Sequence, residues 1–189
     1  LAEAISAGIS ALGQEPARHP LSSYVAYVQL LAQWNRASNL TAVREPGNMV
    51  THHVLDSLAA LPYLRGVHCL DVGTGAGLPG AILALAEPKR HWVLLDSNRK
   101  KIRFVNQVVL ELKPAHVQTV CARVEGYRPQ QQFSTIITRA YGTLARFYAD
   151  ARHLLAPHGV MLALKGGDLA AELGDRKSTR LNSSHMSES

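Results

Sequence analysis

The stretch DVGTGAGLPG, Asp71 to Gly80, follows the apolar run VHCL, Val67 to Leu70, and decides how the rest of the chain is read. Gly75, Gly77 and Gly80 spell G-x-G-x-x-G, the strand-to-helix turn of dinucleotide-binding folds. Begun at the acid that ends the strand, the same letters spell D-x-G-x-G-x-G. Glycines let a backbone turn tightly and approach a ligand, and a helix beginning near Leu78 offers unpaired amides to it. Pro79 suits a first helical turn, where its missing N–H is not needed. Alone, the glycine pattern is weak evidence, and the alternative is a tight turn that holds nothing.

Downstream of Val67 the rhythm is strand, turn, helix, repeated. VHCLDV, HWVLLD, HVQTVC, STIITR and VMLALK are short runs rich in Val, Ile, Leu and Thr and read as strands. Helices are expected at Leu78 to Ala86, at Asn98 to Leu112, where Ile102, Val105, Val109 and Leu112 form one stripe, and at Thr143 to Leu155. This alternation predicts an α/β fold, a mostly parallel sheet with helices on both faces and ligands at the carboxyl ends of the strands. Upstream, Tyr24, Tyr27, Val28, Leu31 and Trp34 recur at helical spacing, as do Val50, Val54, Leu58 and Leu61. NLTAVREPG between them carries loop chemistry. The expected organisation is an N-terminal helical cap over residues 1–65, part of the same domain, and a core over residues 66–174.

The 189 residues suit one domain, and a chain of this size buries roughly 70% of its unfolded surface. A hydrophobic content of 47% with 18% charged residues is ordinary for a soluble protein, and no apolar run reaches the ~20 residues that span a bilayer. With no charged-then-apolar leader and only Cys69 and Cys121, a cytoplasmic protein is expected, with no membrane partner. The segment DRKSTRLNSSHMSES, residues 175–189, loses all apolar period, and DRKSTRLNSSH resembles the translation of a sequencing-adaptor oligonucleotide. It is expected to be a non-native, disordered tail. The formal charge is +6; three cations against two acids in that tail leave +5 for the body. Such a balance fits a phosphate-rich partner, or simply a solubilising surface.

Two carboxylates separate the readings of the glycine turn. Asp96 ends the second strand about 20 residues after the glycines, where an acid accepts hydrogen bonds from ribose hydroxyls in either case. Asp71 precedes the first glycine. A carboxylate there would repel a pyrophosphate and attract a cationic or ammonium-bearing group. S-adenosylmethionine carries such a group and no phosphate. The alternative for Asp71 is a turn-capping residue bonded to nearby amides.

DVGTGAGLPG with LLDS at the second strand end resembles the Rossmann-like S-adenosylmethionine-dependent methyltransferase fold. WNRASNLTAVREP, HHVLDSL, RVE at Arg123 to Glu125, TRA at Thr138 to Ala140 and ALKG at Ala163 to Gly166 narrow the resemblance. From about Leu21 to Gly166 the chain is similar to the ribosomal RNA small subunit methyltransferase G family, also called glucose-inhibited division protein B. The resemblance implies N7-methylation of a guanine in small-subunit (16S) rRNA, with the rRNA or an assembling small subunit as partner; an intact chain is expected to be a monomer. It implies cofactor contacts at Gly73, Leu78, Val124, Glu125 and Arg139, beside Asp71, Gly75, Gly77 and Asp96. It also implies further C-terminal strands beyond ALKG, which this chain is expected to lack.

The residues agree in outline. Val124 follows the third strand, where it can pack on an adenine face or simply fill core, and Glu125 can sit near the adenine edge. Arg139 ends the fourth strand, where its planar fork could orient RNA phosphate or a base edge, or could form a surface ion pair. TRAYG has neither the Asn/Asp-Pro-Pro-aromatic turn of many exocyclic-amine methyltransferases nor a nucleophilic cysteine. Guanine N7 already presents a lone pair, so alignment without a general base would suffice.

In SNRKKIR, Ser97 or Asn98 reads as a helix cap, yet Arg99, Lys100, Lys101 and Arg103 crowd the positive end of the helix dipole. A phosphate backbone would turn this repulsion into attraction; the alternative is a solvated face. Arg36, Arg44 and Lys165 join the same RNA-contact hypothesis. Nine histidines include no metal-binding spacing, so no metal is expected. His53 and Asp56 lie three apart on one helical face, for a structural bond that fixes the cap or for RNA. Asn39 and Thr41 read as loop anchors, and Trp34 and Phe104 as core more than stacking platforms. The competing functions are methyl transfer to another nucleic acid or a small molecule, an NAD-dependent oxidoreductase, and a non-catalytic RNA-binding module.

Overall fold

A computed structural model describes residues 1–164. The expectations for Lys165, for the segment beyond it and for the 175–189 tail lie outside the described residues.

Five strands form one parallel sheet: β1 (His68–Val72), β2 (His91–Asp96), β3 (Val117–Cys121), β4 (Phe133–Arg139) and β5 (Leu155–Leu164), in the order β3-β2-β1-β4-β5. The chain runs outward from β1 to β3, then crosses back to the other side of β1. That reversal opens a crevice at the carboxyl ends of β1 and β4, where open α/β sheets bind ligands. Side chains alternate between faces. Leu70, Val72, Leu95, Ile136 and Phe133 pack against Phe147, Ala151 and Leu154 on one face. Cys69, Leu94 and Ile137 enter the larger core on the other.

That larger core contains the N-terminal helices. In α1 (Ala2–Ala11), Ile5 and Ile9 lie one turn apart and are fully buried. This helix is absent from the sequence reading because only those two residues mark its inward face. α2 (Leu21–Ser38) buries Tyr24, Tyr27, Val28 and Leu31, and ends where Asn39 takes a left-handed conformation at φ 45°. The second cap helix is a succession: α3 (Pro46–Met49), a π-helical stretch Val50–Leu55, and α4 (Asp56–Leu58). Tyr27 fastens the cap to the sheet, its hydroxyl donating to the Ala76 carbonyl at 2.7 Å.

The remaining helices are α5 (Gly80–Ala86), α6 (Arg99–Leu112) and α7 (Leu144–Ala151). α5 starts two residues later than expected, after a cis Leu78–Pro79 peptide. α6 buries Ile102, Phe104, Val105 and Val108, while Val109 is only half-buried, so its inward stripe is rotated from the expected one. Trp34 meets Phe104 edge-on at 5.6 Å, a core contact. β5 begins at Leu155, five residues before the expected start. Among the described residues no helix is long and apolar enough to cross a membrane.

Candidate functional site

The glycine turn is built around one buried carboxylate. Asp71, next to last in the central strand, has its side chain wholly enclosed. Its Oδ2 accepts from the Thr74 hydroxyl at 2.6 Å and from the Gly80 amide at 2.8 Å, while Oδ1 is buried with no hydrogen-bond partner among the described residues. Burial pushes this carboxyl up to about 6, against the opposing hydrogen bonds and the Arg139 charge. The turn-capping alternative is therefore realised at one oxygen, and the other is left needing a donor. The same contact corrects the expectation of a free helix terminus. The Gly80 amide is taken by Asp71 and the Ala81 amide by the Gly77 carbonyl at 2.7 Å, so neither faces a ligand.

Two glycines have particular reasons. Gly73 leaves β1 at φ 68°, a conformation hostile to side chains, with its amide on the Leu95 carbonyl at 2.8 Å. Gly80 has no room: a Cβ would meet Leu94 and lie 2.7 Å from Asp71 Oδ2.

Asp96 ends β2 at the rim of a cleft of about 300 Å³. Its Oδ2 accepts from the Gly75 amide at 2.9 Å and its Oδ1 from the Asn98 amide at 2.8 Å. Each oxygen retains a second acceptor site. Gly73, Asp96, Val124 and Glu125 line this cleft together, joined by Arg123, Tyr141 and Arg146. Leu78, Gly77 and Asp71 are buried and do not line it. Gly75 reaches it only through its bond to Asp96.

Arg139 turns away from the cleft and into the cap. Its Nη1 donates to the His52 carbonyl at 2.8 Å and to His53 Nδ1 at 3.1 Å, and lies 3.8 Å from Asp56 Oδ2. A guanidinium can only donate, so His53 Nδ1 is the acceptor and Nε2 carries the hydrogen. That N–H donates to Thr41 Oγ1 at 2.9 Å, which also accepts from the Val43 amide at 3.2 Å. Burial, then the Arg139 charge, lowers His53 to about 4, keeping the ring neutral near pH 7. Asn35, buried in α2, closes the arrangement by bonding Thr41 at both its amide and its carbonyl, 2.9 and 3.0 Å. The His53 ring and, at 3.8 Å, the Asp56 carboxylate thus meet at Arg139, at the end of β4.

The cations foreseen at the start of α6 are disposed as the sequence suggested. Asn98 caps the helix, its Oδ1 accepting from the Lys100 amide at 2.9 Å, and the first turn has no acid. Arg99, Lys100 and Arg103 are exposed and Lys101 half-exposed; none forms an ion pair among the described residues. Arg36 is exposed at the end of α2, and Arg44 reaches Asn39 Oδ1 at 3.4 Å. Among the described residues no group of three His, Cys, Asp or Glu is gathered for a metal. The sequence reading missed Arg123, Tyr141 and Arg146 as cleft residues. Arg123 and Tyr141 sit inside the quoted RVE and TRAYG stretches, which was the available signal.

Chemically, the cleft suits a nucleoside with a cationic appendage. Asp96 retains acceptors for hydroxyls, Val124 offers an apolar surface, and Asp71 supplies buried negative charge with an oxygen lacking a donor. A pyrophosphate would meet the Asp96 carboxylate in the cleft, the charge of the buried Asp71 and a capped helix start.

The sequence of residues 21–188 matches the family model described as GidB, rRNA small subunit methyltransferase G. Ribosomal RNA small subunit methyltransferase G of Laribacter hongkongensis is 47% identical over 166 residues, covering 88% of this chain and 80% of the relative. The protein of the same name from Methylococcus capsulatus is 46% identical over 168 residues, covering 89% and 82%. Among solved structures, a SAM-dependent methyltransferase from Thiobacillus denitrificans in complex with S-adenosyl-L-homocysteine superposes with TM-score 0.50 at 17% identity, over 69% of this chain and 54% of that one. Coclaurine N-methyltransferase bound to N-methylheliamine and SAH gives 0.53 at 10% identity, over 73% and 43%. This chain therefore matches only about half the length of those two structures. Their likeness shows the fold, a Rossmann-like α/β sheet of the methyltransferase type.

Proposed function

The chain belongs to the rRNA small subunit methyltransferase G family, and from that premise we propose that it binds S-adenosylmethionine in the cleft between Gly73 and Glu125 and methylates N7 of a guanine in small-subunit rRNA. The observation that carries the cofactor reading is the Asp71–Gly80 contact at 2.8 Å. It occupies the amide a dinucleotide would need and sets a carboxylate under the turn. An NAD-dependent oxidoreductase is disfavoured for the same reason.

S-adenosylmethionine supplies an electrophilic methyl group when bound. Asp96 accepts from the ribose hydroxyls through the lone pairs its amide partners leave free, and Val124 covers the adenine with Glu125 beside its edge. Asp71 attracts the ammonium end through the low dielectric of the turn, an attraction present only while the carboxyl is ionised. Arg99, Lys100, Lys101 and Arg103, with Arg36 and Arg44 of the cap, meet phosphates; contacts of that kind hold the RNA without reading its sequence. Arg139 keeps the cap registered over the end of β4.

N7 of guanine is an unprotonated acceptor on the major-groove edge, so no general base has to remove a proton from the attacking atom. The chain's contribution is alignment, which is where the entropic barrier to a displacement lies. The test is isotopically labelled methyl transfer to small-subunit rRNA lacking its own methyl groups, followed by digestion and mass spectrometry. Label in 7-methylguanosine supports the reading; label in an N2-methylated guanosine or on another base contradicts it.

A further inference from the structure

We infer that Tyr141 is the platform on which the target base stacks, an assignment that rests on the methyltransferase reading above. The ring lines the cleft, and four observations give it that task.

The first is the backbone. β4 ends at Arg139, and Ala140 then adopts φ 59°. An alanine held in the left-handed region costs about 1 kcal/mol or more, and such strain gathers where a side chain must be aimed. Here the reversal sends Arg139 into the cap and Tyr141 into the cleft.

The second is position along the sheet. Val124 and Glu125 follow β3, Asp96 ends β2, Gly73 follows β1 and Tyr141 follows β4, in the spatial order β3-β2-β1-β4. Asp96, Val124 and Glu125 thus come from the β2–β3 side of the sheet and Tyr141 from the β4 side, with the Glu125 charge near enough to act on its phenol. The ring also lies against the turn: a Cβ at Gly73 would be 3.5 Å from Tyr141 Cδ2.

The third is rigidity. The Tyr141 hydroxyl donates to Asp150 Oδ2 at 3.1 Å, and that oxygen also accepts from Arg146 Nε at 3.3 Å. Phe147 backs the ring at 5.7 Å between centroids, inclined by 56°. A ring anchored at its hydroxyl and supported from behind offers a preformed surface at little entropic cost.

The fourth is chemistry. Burial and the neighbouring Asp150 push the phenol up to about 12, so it stays neutral and is no base at physiological pH. What remains is the π-face, on which any base can stack. The other aromatic side chains of the sequence reading are unsuitable, because Trp34 and Phe104 are spent on each other in the core.

The test uses the full chain and three variants, Tyr141→Ala, Tyr141→Leu and Tyr141→Phe. Leu keeps apolar bulk without a π-face; Phe keeps the face without the hydroxyl. Three quantities are measured: calorimetric affinity for S-adenosylhomocysteine, filter binding of unmodified small-subunit rRNA with S-adenosylhomocysteine present, and kcat and KM for methyl transfer to that RNA. Ala and Leu are expected to lose about tenfold or more in RNA affinity and in kcat/KM, with Phe near wild type and S-adenosylhomocysteine affinity changed less than about threefold in all. Wild-type behaviour of both Ala and Leu overturns the assignment. Loss of S-adenosylhomocysteine binding in them overturns it in favour of a cofactor wall, and a Phe variant as impaired as Ala overturns it in favour of the hydroxyl. If the wild-type chain transfers no methyl to this RNA, the underlying reading fails and the assignment falls with it, a result distinct from the other three.

Discussion

Asp71 and Gly80, nine residues apart, are joined by a 2.8 Å hydrogen bond from the glycine amide to the buried carboxylate. The bond closes the turn between the central strand and α5 into a loop, with the buried Thr74 hydroxyl on the same carboxylate oxygen. It also uses up the Gly80 amide at the helix start inside the protein. In a glycine pattern shared by two cofactor classes, this bond is the feature that favours S-adenosylmethionine in the proposed reading.

The closeness of that approach makes Gly80 intolerant of any side chain. Gly80→Ala would put a methyl against Leu94 and 2.8 Å from Asp71 Cβ. It should destabilise the fold by about 1–3 kcal/mol, as overpacking of a rigid core does. Chemical denaturation measures this; a variant as stable as wild type would show that the turn relaxes freely.

Asp71 should make cofactor affinity depend on pH. Its carboxyl titrates near 6, above the ordinary carboxylate value, because burial disfavours the charge. Only the ionised form attracts an ammonium group, so below pH 6 the proton must first be expelled. Affinity for S-adenosylhomocysteine should fall by up to about tenfold per pH unit below 6 and level off above 7. Asp71→Asn should bind more weakly at pH 7.5 and lose this pH dependence. A wild-type affinity that is flat from pH 5 to 7.5 would contradict the role.

His53 couples protonation to stability, and here too acid is the weakening direction. Its folded value near 4 lies below the ordinary 6.5, so between those values the unfolded chain binds more protons than the folded one. The stabilising contribution is complete above pH 6.5 and is lost as pH falls toward 4, by about 1–3 kcal/mol in all. Protonated His53 would face the Arg139 guanidinium, and the clamp between cap and sheet would open. Urea titrations at pH 4.5 and 7.5 should therefore show a smaller stability difference for His53→Gln than for wild type. An equal difference would place the titration elsewhere.

The bare cations of α6 give a salt signature. If Arg99, Lys100 and Arg103 meet phosphates, replacing all three by Gln should lower the slope of log K against log salt for RNA binding by about 2–3, nearly regardless of RNA sequence. Affinity for S-adenosylhomocysteine should not move. An unchanged slope would return these residues to the status of a solvated face.

Much of this was legible in the sequence because the sheet is parallel and buried. Strands such as HWVLLD read as unbroken apolar runs, and Asp96 was readable as the acid closing one of them. Helix α1 was not, since Ile5 and Ile9 alone signal its inward side and their burial depends on helices far along the chain. TRAYG gave the location of Arg139 and Tyr141 but not their directions. Those follow from the positive φ of Ala140, which no property of alanine announces. The two roles of Asp71 were both visible as alternatives; the geometry assigns one oxygen to the turn and leaves the other without a donor.

The most direct test of the account is calorimetric titration of the chain with S-adenosylhomocysteine, with NAD as the control and Asp96→Ala beside the wild type. The account predicts one-to-one binding of S-adenosylhomocysteine, no heat with NAD, and an affinity at least about tenfold weaker in the variant, the scale of losing charge-assisted hydrogen bonds to a ribose. Binding of NAD in preference to S-adenosylhomocysteine would contradict it.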